Sequence, residues 1–425
     1  MPVEDLLGPP SVPAELTLAK LEELPAPLAE SATHPTAGML VNLLTSGVPT
    51  DMLWVSTVAE VVLKPFGLDN LDAYMAASDD DVERIRARNP TLRNSTFLVP
   101  KRSRPEVLVM SGTVEAPDGY EASAQNIAPL QMSPDFSGTP FYPNDNTVSY
   151  EATPGTHRPP LRSVLVGGGL VETFAFGGQE PSEGQSGGRA VHLQAPLAPP
   201  LSLARAVGVS SSAFGAMASR HAVAGVPAGA ELDPQANIWP ITEGRFPGSH
   251  KAITYQLGDG SNLDNTGLIA ALQRGASKIA VLINTDVPFY AGDVDFCAPT
   301  AASSPPDPAG HVARELAVLF GFDGDSGRFG FYEHNQVFEQ ADLPPLLCDF
   351  AKLQVAFKPL VSKRSLVVRQ NAWWGLDGGV SVDVAFVYLS GSAAFDAALP
   401  VDTQTELRKG SAGEFDSFPN YKTVF

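Results

Sequence analysis

Ile253-Thr254-Tyr255-Gln256-Leu257-Gly258-Asp259-Gly260-Ser261-Asn262, followed after a short helical segment by Lys278-Ile279-Ala280-Val281-Leu282-Ile283, is the stretch on which the fold reading turns. Residues 253–257 alternate weakly between apolar and polar, which predicts a half-buried strand. Gly258 to Asn262 has turn chemistry. Residues 266–273 read as a helix, and 278–283 as a continuously apolar, buried strand of the parallel type. Strand, loop, helix and strand in that order is the βαβ pattern of an α/β protein.

Downstream, residues 311–320 predict a further helix. Residues 380–389 predict a strand that alternates at first and then becomes continuously apolar. Upstream, residues 14–30 carry Leu16, Leu18, Leu21 and Leu24 at helical spacing. Residues 51–64 read as a second helix, which Pro65-Phe66-Gly67 ends. Residues 79–88 read as a third, with an acidic first turn and Pro90 beyond its end. A buried strand is expected at 106–110 after Pro105. From 126 to 188 Pro and Gly dominate, with short apolar runs such as 163–166. A helical piece follows at 201–206. The chain divides on this reading into a helical N-terminal part, residues 1–104, and an α/β core, residues 105–425, which together form one structural unit. The expected fold class is α/β, with a mostly parallel sheet and helices on both faces. There is no internal repeat.

Charge excludes several functions. Twenty-eight Lys and Arg against 47 Asp and Glu give a net charge of −19, so no global field attracts nucleic acid. An anionic membrane would repel the average surface and leave only a local patch for peripheral contact. No run of 18 apolar residues occurs, and the first 13 residues lack the order of a secretory signal, so a cytoplasmic location is expected. Cys297 and Cys348 are too few for a disulfide scaffold or a cysteine metal cluster. Two ordinary core thiols are expected, with a single bridge as the alternative.

The chemistry centres on Asp259. An aspartate on the loop after a strand sits at the sheet edge where ligands bind, and the glycine after it admits a close approach. Alone, Asp259-Gly260 is an ordinary turn. About fifty residues earlier lies Gly208-Val209-Ser210-Ser211-Ser212-Ala213-Phe214. Earlier still are Pro129-Leu130-Gln131-Met132-Ser133-Pro134 and Gly138-Thr139-Pro140-Phe141. With Asp259-Gly260-Ser261 and Asn265, the order of these segments resembles the patatin-like and phospholipase B-like acyl hydrolases, the cytosolic phospholipase A type included. The likeness covers about residues 90–290. Ser261 departs from it, standing where the family has a second glycine.

The resemblance implies a patatin- or lysophospholipase-like fold and a lipid acyl-ester hydrolase, a phospholipase or lysophospholipase. It works by a Ser-Asp dyad in which serine attacks the ester carbonyl and Asp259 takes its proton. No metal or organic cofactor is required, and the partner is a lipid or phospholipid substrate. The family's nucleophile lies in Gly-x-Ser-x-Gly after a glycine-rich loop. Nothing in residues 1–126 fits, because Ser46-Gly47 and Ser111-Gly112 lack the preceding glycine. The chain is therefore expected to begin downstream of the usual nucleophile. Two internal serines compete. Ser186 lies in Gly184-Gln185-Ser186-Gly187-Gly188, without the strand and helix that an elbow needs. Ser210 follows Gly167-Gly168-Gly169 by about 40 residues, which imitates an oxyanion loop and elbow. The alternative function is a non-catalytic or truncated relative that binds lipid or a protein partner.

Other motifs read as structure. Asp377-Gly378-Gly379 leads into a strand and is taken as a turn. Asp323-Gly324-Asp325-Ser326-Gly327 lacks the remainder of a calcium loop. The histidines form no metal-binding motif. Trp373-Trp374 is expected to pack.

Overall fold

The structure is a computed structural model that describes residues 12–23, 36–101, 108–140, 147–181, 186–187, 190–191, 193, 199–213, 232, 234–241, 251–285, 287–298, 303–322 and 330–414. The chain forms two compact units: Glu30–Leu263, and Met1–Ala29 together with Asp264–Phe425.

The strands of the Glu30–Leu263 unit, in chain order, are β1 Tyr74–Met75, β2 Phe97–Leu98, β3 Met110–Pro117, β4 Ala128–Met132, β5 Phe136–Thr139, β6 Thr147–Tyr150, β7 Leu161–Leu165, β8 Gly169–Glu172, β9 Ser186–Gly187, β10 Ala190–Val191, β11 Gln235–Ile238 and β12 Ile253–Asp259. Six of them make one sheet in the order β11-β12-β3-β4-β5-β8. Every neighbouring pair in it is antiparallel. β3, β4 and β5 form a meander, with all five residues of β4 buried. Its β4–β5 turn is fastened by the Ser133 hydroxyl, which donates to the Asp135 carboxylate at 2.5 Å. Such local side-chain bonding is how Ser and Asp specify turns.

Helices flank this unit. Thr50–Val58 buries Leu53, Trp54, Val55 and Val58. It packs with Leu40, Ala204 and Leu232 in one apolar cluster, and each fully buried side chain of this size stabilises the fold by about 1.5–3 kcal/mol. Asp79–Arg88 starts at Ser78, whose hydroxyl accepts from the Asp81 N–H, and carries three aspartates in its first turn, where the helix dipole favours negative charge. Leu203–Ser210 starts at Ser202, which accepts from the Arg205 N–H.

The other unit holds β13 Lys278–Ile283, β14 Leu360–Val367 and β15 Ser381–Tyr388 in the order β13-β15-β14. β13 runs parallel to β15, and β14 antiparallel to it. One face buries Val281, Ile283, Leu360, Leu366, Val382, Val384, Phe386 and Tyr388. It meets the Leu343–Val355 helix, whose Phe350 ring lies 5.6 Å from that of Tyr388. The opposite face is open, with Leu282 73% exposed and Val361 and Val367 also exposed.

The expected mostly parallel sheet with helices on both faces is therefore incorrect. β12 and β13 do not share a sheet, so the strand-helix-strand order of 253–283 does not close a βαβ unit. The apolar run 278–283 suggested a strand covered on both sides, but its burial alternates because only one face is packed. The largest sheet is an antiparallel, curled half-barrel, and three of its six strands, β4, β5 and β8, come from the Pro- and Gly-rich stretch 126–188. The α-helical, π- and 3₁₀-helical turns from Thr50 to Phe66 and the helix Asp79–Arg88 match the sequence reading. Residues 24–30 and 102–107, expected to be helix and strand, lie outside the described residues. Cys297 and Cys348 are joined in a disulfide, in place of the expected core thiols. Among the described residues no helix is long and apolar enough to cross a membrane.

Candidate functional site

Asp259 is the last residue of β12, paired across the ladder with Gly112 of β3. The chain then turns sharply into the 3₁₀ segment Gly260–Asn262, which Asp259 caps. Its Oδ1 accepts from the Ser261 N–H at 2.8 Å, an Asx turn. Its Oδ2 accepts from the Ala213 N–H at 3.2 Å. The Ser261 hydroxyl is also bonded to this carboxyl. Asp259 is only 6% exposed. Burial pushes its carboxyl above the ordinary value of 3.8, while the bonds from Ser261 and Ala213 pull it back. Desolvation wins over these bonds because a neutral acid needs no counter-charge.

Beside it, Glu115 Oε1 accepts from Asn262 Nδ2 at 2.8 Å and from the Thr113 hydroxyl at 3.3 Å. The sequence reading passed over this polar cluster; its trace in the sequence was Glu115 between the apolar Val114 and Ala116 of β3. Gly260 is required by a close approach, but by the protein's own chain. A Cβ there would come within 2.8 Å of the Ser111 backbone carbonyl.

Ala213 reaches Asp259 because of how the Leu203–Ser210 helix is seated. Gly208 lets it lie on the Thr50–Val58 helix, where a Cβ would stand 3.0 Å from Val55 Cα. Arg205 is half-buried along the same helix and donates to the Pro199 and Gln235 carbonyls. Desolvation lowers its pKa, and the nearby Asp51 charge opposes that. Beyond the helix, the Ser211 hydroxyl donates to the Val207 carbonyl at 2.8 Å and accepts from Trp54 Nε1 at 3.4 Å. Ser212 is buried.

The structure thus joins the described part of one segment singled out in the sequence, residues 208–213, to another, Asp259–Ser261, through Ala213; Phe214 lies outside the described residues. It does not support either internal serine as an elbow nucleophile. Ser210 is the last residue of a helix, whereas an elbow serine precedes one, where free N–H groups remain for an oxyanion. Ser186 lies in a two-residue strand paired with β10, not in a strand-to-helix turn. Asn265 is exposed. Asp264 is buried and holds the start of the Leu268–Gln273 helix, accepting from the N–H groups of Thr266 at 2.9 Å and Ile269 at 3.1 Å.

Of the remaining motifs, Trp374 is buried and donates to Asn335 at 3.3 Å, and Trp373 stacks on His334 with centroids 4.9 Å apart. Both tryptophans pack. Gly379 donates its N–H to Val368 across the β14–β15 connection, as a turn residue does. Residues 323–327 lie outside the described residues. Among the described residues no group of three or more His, Cys, Asp or Glu could hold a metal ion.

No family model matches the chain, and no curated protein or solved structure matches it either.

Chemically, the corner at Asp259 offers a buried carboxyl whose pKa desolvation raises, at the end of an inner strand, with neutral hydrogen-bond donors around it. Such a group accepts a proton from a hydroxyl and returns it within one reaction cycle.

Proposed function

We propose that Asp259 is the general-base half of a lipid acyl-ester hydrolase of the phospholipase or lysophospholipase class. The observation that carries this reading is the buried Asp259 carboxyl, raised above its ordinary value and docked on the serine-bearing segment through Ala213. In the reaction a serine attacks the ester carbonyl, its proton passes to Asp259, and the same carboxyl later deprotonates the water that releases the acid. The resemblance to patatin-like acyl hydrolases supports the substrate class. Neither Ser186, in a two-residue strand, nor Ser210, at a helix end, has the strand-to-helix setting of an elbow nucleophile.

The test is turnover of a lysophospholipid and of a p-nitrophenyl ester by the wild type and Asp259→Asn. The expected loss is about 10²- to 10⁴-fold in kcat, the range for a positioned base. Equal turnover by the two proteins would refute the role.

A second reading is favoured by one specific observation: both carboxyl oxygens already accept backbone N–H groups. On that reading the corner is structural, and the chain binds lipid or a protein partner without cleaving it. Binding to lipid vesicles with no turnover would select it.

A cytoplasmic location rests on the sequence alone. The Cys297–Cys348 bond pulls the other way, since disulfides persist mainly in oxidising compartments.

A further inference from the structure

Thr139 ends β5 opposite Gly169 of β8 and is 1% exposed. Its Oγ1 is buried without a hydrogen-bond partner among the described residues. A buried hydroxyl left dry is costly, and such groups are usually satisfied by an ordered water. The same residue lines a cavity of about 20 Å³ shared with Gly138, Gly167, Gly169, Asn237 and Ile241. By this measure roughly 10–15 Å³ is enough for one water molecule.

The surrounding backbone is shaped to make that room. Gly167 and Gly168 have φ of 66° and 92°, a region that glycine enters without strain. A Cβ on Gly167 would collide with the Thr139 side chain. The Gly167 carbonyl accepts from the Ile241 N–H at 2.8 Å and keeps a second lone pair.

We propose that this cavity is a binding site for one ordered water, anchored by Thr139 Oγ1, that bridges β5 to the glycine loop at 167–169. A buried water makes about three hydrogen bonds. Thr139 supplies one, and the backbone polar groups of the loop and of Gly138 supply the others. The water gives the three consecutive glycines a structural task, holding the loop to the sheet edge rather than presenting N–H groups to a substrate oxygen.

High-resolution crystal structures and thermal melts of the wild type, Thr139→Val and Thr139→Ser test this. Density for a water about 2.7–3.0 Å from the hydroxyl is expected in the wild type and in Thr139→Ser, and none in Thr139→Val. Thr139→Val should melt about 2–4 °C below the wild type, because the isosteric methyl group leaves the loop's polar groups unpaired. A dry cavity in the wild type overturns the proposal. So does Thr139→Val melting at or above the wild type, because a methyl group relieves a hydroxyl that has no partner. If Thr139→Val does not fold, the Thr139→Ser structure decides alone.

Discussion

The backbone N–H of Ala213 donates to Oδ2 of Asp259 at 3.2 Å, across 46 residues of sequence. This bond fixes where the end of the serine-bearing segment lies against the corner of β12. It also spends one carboxyl oxygen on a structural contact, so any role for Asp259 in proton transfer must work around a carboxyl that is already held in place.

The first prediction concerns pH. Burial raises the folded-state pKa of Asp259 above 3.8. Between that ordinary value and the raised one, the folded state keeps a proton that the unfolded state has released. Asp259 therefore contributes a loss of stability as pH rises through that window. Asp264, Asp342 and Asp396 are raised by burial too and act in the same sense, so the informative quantity is a difference. The stability of Asp259→Asn relative to the wild type should improve as pH rises from about 4 to about 7. Urea melts across that range measure it, and a constant difference would show that Asp259 is not shifted.

Gly260 gives a steric prediction. Gly260→Ala places a methyl group against the Ser111 main chain, which cannot swing aside. The cost should be about 1–3 kcal/mol. At Gly258 a Cβ would meet the end of the Glu115 side chain and also the Oγ1 of the buried Thr113 at 2.5 Å. Gly258→Ala should therefore cost at least as much as Gly260→Ala, and should also weaken the Glu115–Asn262 bond. Chemical denaturation of both variants ranks them, and the reverse order would contradict the packing described.

Reduction tests the disulfide. Cys297 and Cys348 close a loop with a sequence separation of 51. Opening it, or replacing both residues with serine, should destabilise the protein by about 2–4 kcal/mol. Thiol titration of the unreduced, denatured protein should find no free cysteine. Two titratable thiols would restore the core-thiol reading and remove the argument for an oxidising compartment.

Local structure was more legible in the sequence than topology. Residues 51–64 and 79–88 have clear end signals, Asp51 and Pro65-Phe66-Gly67 for the first and an acidic first turn and Pro90 for the second, and both are helical. Residues 278–283 are a strand that pairs in parallel, as read. What failed was the step from local order to sheet. A strand, helix and strand in sequence do not say which edge the second strand joins, and β13 joins β15, about a hundred residues later. β4 and β5 were hidden by Pro129, Pro134 and Gly138, residues usually read as breakers. Here they sit in an antiparallel meander whose short strands tolerate them. At the site, Asp259 and the Gly208–Phe214 segment were both visible as motifs, and the contact between them is real. Glu115 and Asn262 were not, because a polar cluster brought together by strand pairing has no spacing to read.

Labelling with a fluorophosphonate serine probe, mapped by mass spectrometry on wild type and Asp259→Asn, tests the central claim most directly. If Asp259 is the base of a serine acyl hydrolase that carries its own nucleophile, a serine is labelled in the wild type, and its labelling falls sharply in Asp259→Asn. No labelled serine, or labelling that is equal in the two proteins, would contradict the hydrolase reading.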